Sequence, residues 1–317
     1  MTTLITGAAG FIGAHTARRL AELNQHNVQL DNLNNYYSVE LKRARVAEFN
    51  LTPTVIDVAD NAALMAFFQA HRPTRVIHLA AQAGVRHSID APYDYLHSNL
   101  TGFLNILEAC RRFPVEHLVF ASTSSVYGAQ TNTPFREDMP IQTPMSLYSA
   151  TKGANELMAH CYAHLYGIPC TALRFFTVYG AWGRPDMAPI LFSRAILEGR
   201  PIDLFNGGNM LRDFTHVTDV VDGILGALNT PPSKSQPFAV FNLGAGRPVA
   251  LNHFIEQIEN AIGQPAVRIL KPMQLGDMQA TFADTSAANA AFGYEPTMPL
   301  ETGIAELVAW VKSYYKA

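Results

Sequence analysis

A tyrosine and a lysine stand four residues apart in the stretch Tyr148-Ser149-Ala150-Thr151-Lys152. On a helix, residues at this spacing lie on one face, about one turn apart. A free tyrosine loses its proton at about pH 10, but a nearby ammonium favours the phenolate and lowers its pKa. The pair could therefore take a proton from a substrate hydroxyl. Because the same spacing is common in surface pairs, this chemistry also requires a hydride acceptor and a pocket.

The N-terminal residues have the order strand, glycine turn and helix. Residues 3–6 are a short apolar run, Gly7, Gly10 and Gly13 follow, and helical periodicity begins at Phe11. Such a turn lets backbone N–H groups approach a pyrophosphate in front of the helix N-terminus. The spacing is G-x-x-G-x-x-G rather than the common G-x-G-x-x-G, and glycine turns also occur for packing.

An acidic residue, Asp31, ends a second strand-like run, 18 residues after Gly13. A carboxylate at this place can accept hydrogen bonds from the adenosine ribose and would repel a 2′-phosphate. The position therefore favours NAD over NADP, and the alternative is an aspartate that forms a turn or caps a helix.

Strands and helices alternate through the first half of the chain. Further strands are predicted at residues 54–57, 75–79, 118–121 and 171–175, with a helix from Tyr148 to about Tyr166. This alternation predicts an α/β fold with a Rossmann-like, doubly wound parallel sheet. A smaller C-terminal α/β substrate-binding region is expected after it.

Two helix starts are predicted from capping residues. Ser38 is expected to cap a helix through Phe49 with Lys42, Arg43 and Arg45 on its solvent face. Asp57 ends the third strand, where it could face the adenine or cap the helix that begins at Asp60.

A cluster of hydroxyl residues, Ser122-Thr123-Ser124-Ser125, follows the fifth strand. The carboxyl ends of the strands are where such a sheet binds ligands, so the cluster can bond a sugar hydroxyl and a phenolate together. Turn capping by Ser and Thr would explain one or two of the four.

After Thr177 glycine and proline interrupt the alternation. Arg184 and Arg212 fall in predicted loops, and Arg212 precedes a helix near Val217–Leu228. An arginine fork matches a diphosphate or carboxylate, whereas solvated surface arginine is the ordinary alternative.

Composition limits the class of protein. The net charge of −3 gives no reason to expect nucleic acid or an anionic membrane as partner, although a local basic pocket is compatible with it. Three cysteines without C-x-x-C spacing indicate free thiols in a reducing compartment, and neither a signal peptide nor an apolar run of 18 residues is found. A cytoplasmic protein is therefore expected. His78 and His87 lack a metal-ligand partner set, so no metal site is predicted.

The chain resembles the extended short-chain dehydrogenase/reductase family of nucleotide-sugar enzymes, in its segment 6–13, its Tyr148/Lys152 pair and its segment 212–214. More narrowly, it resembles UDP-glucuronate 4-epimerases. The segments that carry this narrower resemblance are DNLNNYY at 31–37, AQAGVR at 81–86, RFFTVYG at 174–180 and WGRPDMA at 182–188.

The resemblance implies a bound NAD that is reduced and reoxidised in each turnover. Tyr148 would take the proton from the sugar 4-hydroxyl, Thr123 would bridge the two, and Lys152 would hold the nicotinamide ribose. The 4-keto sugar would then rotate and accept hydride on its other face.

Oxidation at carbon 4 of a glucuronate gives a β-keto acid, which readily loses carbon dioxide. Ser124, Ser125 and Thr177 are suited to hold the carboxylate, with Arg184 resembling the family's gate beside it. Arg212 and Asp277 match the positions expected to grip the diphosphate and the uridine ribose. Related decarboxylases and dehydratases usually carry a glutamate where this chain has Ser124-Ser125, which argues against both activities.

Two residues depart from the family's pattern. Ala181 replaces a frequent proline and could loosen the loop that places Arg184, and Gly153 replaces a frequent lysine within a helix.

We assign the site residues as follows. Catalysis is assigned to Tyr148, Lys152 and Thr123. The NAD-binding residues are Gly7, Gly10, Phe11, Ile12, Gly13, Asp31, Asn32, Asn34, Asp57, Val58, Leu79, Ala80, Ala81, Gln82, Asn99, Ser122, Tyr148, Lys152, Phe175 and Val178. The UDP-sugar-binding residues are Arg86, Thr123, Ser124, Ser125, Tyr148, Thr177, Arg184, Arg212 and Asp277.

The NAD-binding region is expected to span residues 1–176 with part of 217–243 returning to it, and the substrate-binding region mainly residues 177–317. The resemblance also implies a homodimer through a four-helix contact. The alternatives are a UDP-glucose-type 4-epimerase or a UDP-glucuronate decarboxylase on the same fold, and a non-catalytic NAD-sensing scaffold.

Overall fold

The computed structural model describes residues 1–272 and 278–316, and its helices and strands belong to that part of the chain. The strands are β1 (Thr3–Thr6), β2 (Asn27–Asp31), β3 (Thr54–Val55), β4 (Arg75–His78), β5 (His117–Thr123), β6 (Cys170–Phe175), β7 (Thr177–Tyr179), β8 (Ile202–Phe205), β9 (Leu211–His216), β10 (Phe238–Leu243), β11 (Pro248–Ala250), β12 (Arg268–Lys271) and β13 (Ala280–Thr281).

The helices alternate with these strands in the first half and are longer than most of them. The α-helices are α1 (Phe11–Glu22), α2 (Val39–Glu48), α3 (Asn61–His71), α4 (His87–Asp90), α5 (Pro92–Tyr95), α6 (Gly102–Arg112), α7 (Leu147–Tyr166), α8 (Ala188–Leu197), α9 (Val217–Leu228), α10 (Leu251–Ile262), α11 (Ser286–Phe292) and α12 (Leu300–Tyr315). A π-helical turn covers Leu96–Thr101, and 3₁₀ turns cover Ser124–Tyr127 and Asn206–Gly208.

Seven strands form one parallel sheet in the order β10-β6-β5-β4-β1-β2-β3. Crossing over between β1 and β4 splits the sheet into two halves, as in a doubly wound fold. The prediction of a Rossmann-like parallel sheet is therefore confirmed. Strand β10 lies beside β6, and α9 packs on the same face as α1. The boundaries of the two predicted regions remain a prediction.

Both faces of the main sheet are covered. Leu4 and Val76 face one apolar core together with α3, α6 and α7, while the adjacent Ile5 and Ile77 face another core with α1 and α9. Successive strand residues point to opposite faces, so a strand buried on both sides reads as a continuous apolar run.

The remaining strands are short and form two small sheets. Strand β9 pairs with β7, β11 and β13, and β8 pairs with β12. A third core packs below them, in which the rings of Phe214 and Phe254 stack with centroids 3.8 Å apart. No helix in the ranges 1–272 and 278–316 is both long and apolar enough to cross a membrane.

Local sequence signals placed several elements well. Helix α9 has the predicted bounds, and Ser38 caps α2 as predicted by accepting a hydrogen bond from Leu41 N. Helix α3 begins at Asn61, one residue later than predicted, and its cap is Asp60, which accepts from Ala63 N, rather than Asp57. These signals are short-range, so they are readable without the rest of the fold.

Other local predictions are wrong. The third strand covers only Thr54–Val55, and Arg212 lies in strand β9 rather than in a loop. Of the α2 cations, Lys42 and Arg45 are buried and not on a solvent face. The short strands β7, β8, β11 and β13 and the helices α8 and α11 were not predicted, because each depends on partners far away in sequence.

Helix α7, which carries Tyr148 and Lys152, is capped at both ends. Ser146 accepts from Ser149 N while the Ser149 hydroxyl accepts from Ser146 N, a reciprocal capping box. The helix ends at Gly167, whose φ of 65° lies in the left-handed region that favours glycine. The cap at Ser146, two residues before Tyr148, fixes where the helix begins.

A buried ion pair fixes α7 against the sheet. Arg174 of β6 donates through Nη2 to Glu156 Oε2 at 2.7 Å and through Nε to Oε1 at 3.0 Å. The Ser122 hydroxyl of β5 donates to the same carboxylate, and both charged side chains are about 5% exposed or less. Glu156 is one helical turn beyond Lys152, so this contact sets the rotation of the helix about its axis.

We predict opposite effects of alanine at two glycines of this helix. Gly153→Ala should raise the free energy of unfolding by about 1 kcal/mol, since a Cβ there meets only the Ile141 side chain at 3.8 Å. Gly167→Ala should lower it by about 1 to 2 kcal/mol because of its positive φ. Urea denaturation followed by circular dichroism measures both, and equal shifts would contradict the capping assignment.

We also predict that Glu156→Ala is strongly destabilising. It leaves the Arg174 charge buried without its carboxylate, which should cost about 3 to 5 kcal/mol. Glu22→Ala, which removes an exposed partner of Arg18, should change the free energy of unfolding by less than about 1 kcal/mol. Chemical denaturation of the two variants side by side tests whether burial makes the difference.

Candidate active site

A cavity of about 1150 Å³ opens at the carboxyl ends of β1, β4, β5 and β6 and extends to the small sheets. Among the described residues, all those assigned above to catalysis, cofactor and substrate line this cavity, with the single exception of Asn99. Asp277 lies outside the described residues. The cavity brings the predicted residues together, while the role of each remains a prediction.

The glycine turn lets three chain segments approach one another closely. A Cβ on Gly7 would lie 2.7 Å from Ala80 N, and one on Gly13 would lie 2.1 Å from Gly7 O. Gly7 also has a φ of 71°. Helix α1 begins directly after this turn and faces the cavity. Its free N–H groups make a binding place for the diphosphate of a dinucleotide.

Asp31 is held firmly at the end of β2. Its two carboxylate oxygens accept from Ala9 N at 2.9 Å and from Leu33 N at 2.8 Å. Each oxygen has a further lone pair for a ribose hydroxyl. The residue thus links the glycine turn to the predicted adenosine site.

Asp57 is the second acid of this side of the cavity. It accepts from Asn32 Nδ2 at 3.0 Å and from Ala59 N at 2.8 Å. Burial acts to raise its pKa, but these hydrogen bonds and His97 hold the pKa below its ordinary value. The carboxylate is therefore ionised at neutral pH.

Asn99 is buried behind the cavity wall instead of lining it. Its side chain bonds both backbone groups of Gln82, accepting from N at 2.8 Å and donating to O at 3.0 Å. It also donates to the Thr151 hydroxyl, and its own carbonyl accepts from Asn155. Asn99 lies in the π-helical turn, a local irregularity that often marks functional sites. It positions Gln82 rather than facing a ligand.

The Gln82 side chain completes the fit to a dinucleotide. Its Nε2 is buried at the cavity wall and makes no hydrogen bond of good geometry in the described part of the chain. The side chain does lie close to Tyr95, where burial raises the pKa of the phenol and Gln82 acts to lower it. Buried polar groups in proteins are almost always bonded, so a donor without a good partner here suits a polar ligand. Together with the glycine turn and Asp31, it makes the cavity compatible with NAD.

Tyr148 and Lys152, one turn apart on α7, both line the cavity, where Lys152 is buried and Tyr148 is partly buried. Burial raises the pKa of Tyr148, opposed by a hydrogen bond with Thr123 and by the charge of Arg184. Burial lowers the pKa of Lys152 to about 8, opposed by Glu156. At Tyr148 burial outweighs the two opposing effects, so the pKa lies above its ordinary value, and the lowering of this pKa by Lys152 stays a prediction.

The four hydroxyl side chains after β5 make different contacts. Ser122 donates to Glu156, and Thr123 Oγ1 accepts from Ser125 N at 3.2 Å at the start of the 3₁₀ turn. Ser124 and Ser125 line the cavity opposite Thr177. Capping therefore occupies Thr123 in part, as the alternative interpretation allowed, and leaves hydroxyls for a ligand.

Four arginines of the second region line the cavity, Arg184, Arg194, Arg200 and Arg212, of which Arg184 and Arg212 were predicted. Arg184 pairs with Asp186, two residues further along its loop. Arg212 precedes Asp213, whose buried carboxylate accepts from the backbone of Ala245 and Ala283. Asp213 thus fixes the strand that presents Arg212.

Two buried cations of α2 were missed by the sequence interpretation. Lys42 Nζ donates to the backbone and side-chain oxygens of Asn34, both at 2.7 Å. Arg45 donates to Ala9 O and, through two nitrogens, to Trp182 O. A signal was available, because α2 lacks the apolar stripe of an ordinary packed helix and must bury other residues.

A second tie to the same loop comes from α1. His15 Nε2 lies 3.1 Å from Ala181 O. Burial lowers the pKa of His15 to about 4, so the ring is neutral and Nε2 carries the donated proton. No group of three or more His, Cys, Asp or Glu able to hold a metal occurs among residues 1–272 and 278–316.

Known proteins match this geometry over the whole chain. A probable UDP-glucuronate 4-epimerase of Rhizobium meliloti is 44% identical, covering 100% of this chain and 98% of that protein. A crystal structure of UDP-glucuronic acid 4-epimerase from Bacillus cereus, in complex with UDP-glucuronic acid and NAD, superposes with a TM-score of 0.91 at 31% identity, covering 99% of this chain and 100% of that one. A UDP-glucose 4-epimerase from Thermotoga maritima gives 0.91 at 30% identity, with the same coverage.

The family profile that matches spans residues 3–244, from β1 to just beyond β10. It covers the glycine turn, the Tyr148/Lys152 helix, Arg184 and Arg212, which all line the cavity. The chain belongs to the NAD dependent epimerase/dehydratase family.

Proposed function

We propose that this protein is an NAD-dependent 4-epimerase that interconverts UDP-glucuronate and UDP-galacturonate through a 4-keto intermediate. One observation carries the substrate assignment. The cavity places Tyr148 and Lys152 beside a group of neutral hydroxyls and Arg184, with serines where related decarboxylases carry an acid. The names of the similar Rhizobium and Bacillus proteins support the same substrate.

Tyr148 takes the proton from the sugar 4-hydroxyl. Thr123 hydrogen-bonds the phenol and can hold the sugar 4-hydroxyl at the same time, so the proton passes along a short path. Lys152, one turn away, supplies positive charge that favours the phenolate when the proton has left. Bound NAD supplies the acceptor for the hydride of carbon 4 and returns that hydride to the opposite face of the sugar.

The carboxylate of the 4-keto sugar needs separate control. Hydroxyls of Ser124, Ser125 and Thr177 can bond it without offering a strong acid, and Arg184 adds charge to stabilise it as an anion. Loss of carbon dioxide moves the negative charge away from the carboxylate. Because these groups stabilise the charge on the carboxylate, they oppose that loss. We assign Arg86 to the sugar side, Arg212 to the diphosphate and Asp277 to the uridine ribose.

A UDP-glucose 4-epimerase is the second candidate, since one from Thermotoga maritima has the same fold at a TM-score of 0.91. The two activities use the same tyrosine and lysine and differ only at the sugar's sixth carbon. The group formed by Arg184 and the nearby hydroxyls is suited to an anion there, which favours the hexuronate.

The free cysteines also indicate the compartment in which the enzyme acts. Cys110 and Cys170 are buried free thiols, and Cys161 is an exposed one. Exposed free thiols persist in reducing compartments, so we propose that the enzyme acts in the cytoplasm.

We further propose a homodimer through α6 and α7. These helices pack side by side and expose Leu104 and Leu157, of which Leu157 is 69% exposed. Leu96, in the π-helical turn before α6, and Leu165, near the end of α7, are exposed as well. Two helices from each copy would bury these exposed side chains in a four-helix contact, the arrangement that the resemblance implies.

The activity is tested by proton NMR of UDP-glucuronate incubated with the purified protein, first without and then with added NAD. We expect UDP-galacturonate, whereas UDP-xylose would contradict the assignment of Ser124, Ser125 and Thr177. Tyr148→Phe should reduce turnover by at least about 100-fold while NAD binding is retained. Tyr166→Phe, at the exposed end of the same helix, is the matched control and should keep full activity.

The dimer is tested by a charge on its proposed face. Leu157→Glu should give a monomer in sedimentation, because two carboxylates would be buried near each other. Leu270→Glu in β12 alters a leucine that is 70% exposed on another surface and should leave the association unchanged. A dimer that survives Leu157→Glu would exclude this face.

A further inference from the structure

Arg184 already carries a carboxylate partner. Its Nε donates to Asp186 Oδ1 at 3.1 Å and its Nη2 donates to Oδ2, so both nitrogens of the fork are used. The pair is sheltered, with 19% of the Arg184 side chain and 34% of the Asp186 side chain exposed. Arg136 and Asp138 have the same spacing elsewhere, but they are 59% and 69% exposed. Because it is less exposed, the Arg184–Asp186 pair is screened much less by water than the Arg136–Asp138 pair.

Asp186 has a second donor from a distant part of the chain. The Tyr36 hydroxyl, on the loop after β2, donates to Asp186 Oδ2 at 2.9 Å. The Arg184 guanidinium lies over the same tyrosine ring, 5.7 Å from its centroid. Burial acts to raise the pKa of Asp186, but Arg184 and the Tyr36 hydrogen bond hold the pKa below its ordinary value. The carboxylate is thus anionic with two independent partners.

This cluster adjoins the place of chemistry. Tyr36, Arg184 and Asp186 all line the cavity that contains Tyr148, and the Arg184 charge acts on the Tyr148 phenol. A hexuronate carboxylate that enters therefore meets the negative charge of Asp186 and competes with it for the Nε/Nη2 edge of the guanidinium. A neutral hexose has no carboxylate and therefore does not compete with Asp186.

We propose that Asp186 and Tyr36 are specificity-determining positioning residues: Asp186 holds Arg184 until a hexuronate carboxylate arrives, and Tyr36 remains as the partner of Asp186 when Arg184 turns to the sugar. The inference rests on the proposed function. It assigns the two residues opposite effects on affinity for the acidic sugar. Removing the competing carboxylate frees Arg184, whereas removing the tyrosine hydroxyl leaves Asp186 poorly satisfied once Arg184 has left.

Binding measurements separate these effects from turnover. NAD-loaded protein with Tyr148→Phe is titrated calorimetrically with UDP-glucuronate and with UDP-glucose, which share the nucleotide and differ in the carboxylate. Adding Asp186→Asn should tighten UDP-glucuronate binding by about fivefold, because the competing charge is removed at constant shape. Adding Tyr36→Phe should weaken it by about threefold, since water replaces the lost donor only in part. UDP-glucose should change by less than about twofold in both.

Asp138→Asn is the matched control, because it neutralises an exposed aspartate with the same arginine spacing, and it should leave both affinities unchanged. The inference is overturned if the two variants shift UDP-glucuronate binding in the same direction, as general loosening of the loop would do. Equal shifts for UDP-glucose would overturn it as well. The proposed function fails by a different result, in which the Tyr148→Phe parent itself binds UDP-glucose more tightly than UDP-glucuronate.

Discussion

The buried ion pair between Arg174 and Glu156 determines where the chemistry of this protein can occur. Tyr148, Lys152 and Glu156 follow one another at four-residue spacing along α7, so fixing the last of them against β5 and β6 fixes the other two. Such a pair contributes little net stability compared with apolar residues of the same volume. The pair instead fixes the rotation of α7 about its axis, because an apolar contact would tolerate such rotation and a bidentate pair does not.

The second constraint is that two regions must share one cavity. Strand β7 follows β6 of the main sheet after a single residue and pairs with β9, so Thr177 and Arg212 both enter the site from neighbouring strands of the small sheet. Neither region has the whole set of ligand-binding groups. The division of work is typical of families in which the sheet binds a common cofactor and variable loops choose the substrate.

Much of the site could be predicted, since its residues follow strands and glycines that are recognisable locally. The glycine turn, Asp31, the serines after β5 and the Tyr148 helix needed only short-range patterns. Lys42 and Arg45 were misplaced because polar side chains are assigned to solvent unless a partner is known. Asn99 was assigned to the cofactor, whereas its contacts with Gln82 hold it behind the cavity wall. The partners of these three residues, Asn34, Trp182 and Gln82, lie between 8 and 137 residues away, and only the fold reveals them.

The contacts of His15 and Arg45 with the carbonyls of Ala181 and Trp182 have a consequence for how such enzymes diversify. The loop that we propose to select the sugar is held by two side chains from the N-terminal, dinucleotide-binding part of the chain. Exchanging C-terminal halves between relatives would therefore remove these contacts with the loop unless residues 15 and 45 were exchanged as well. Changes of substrate in this fold should be easier to reach by point replacement within one chain than by recombination between two.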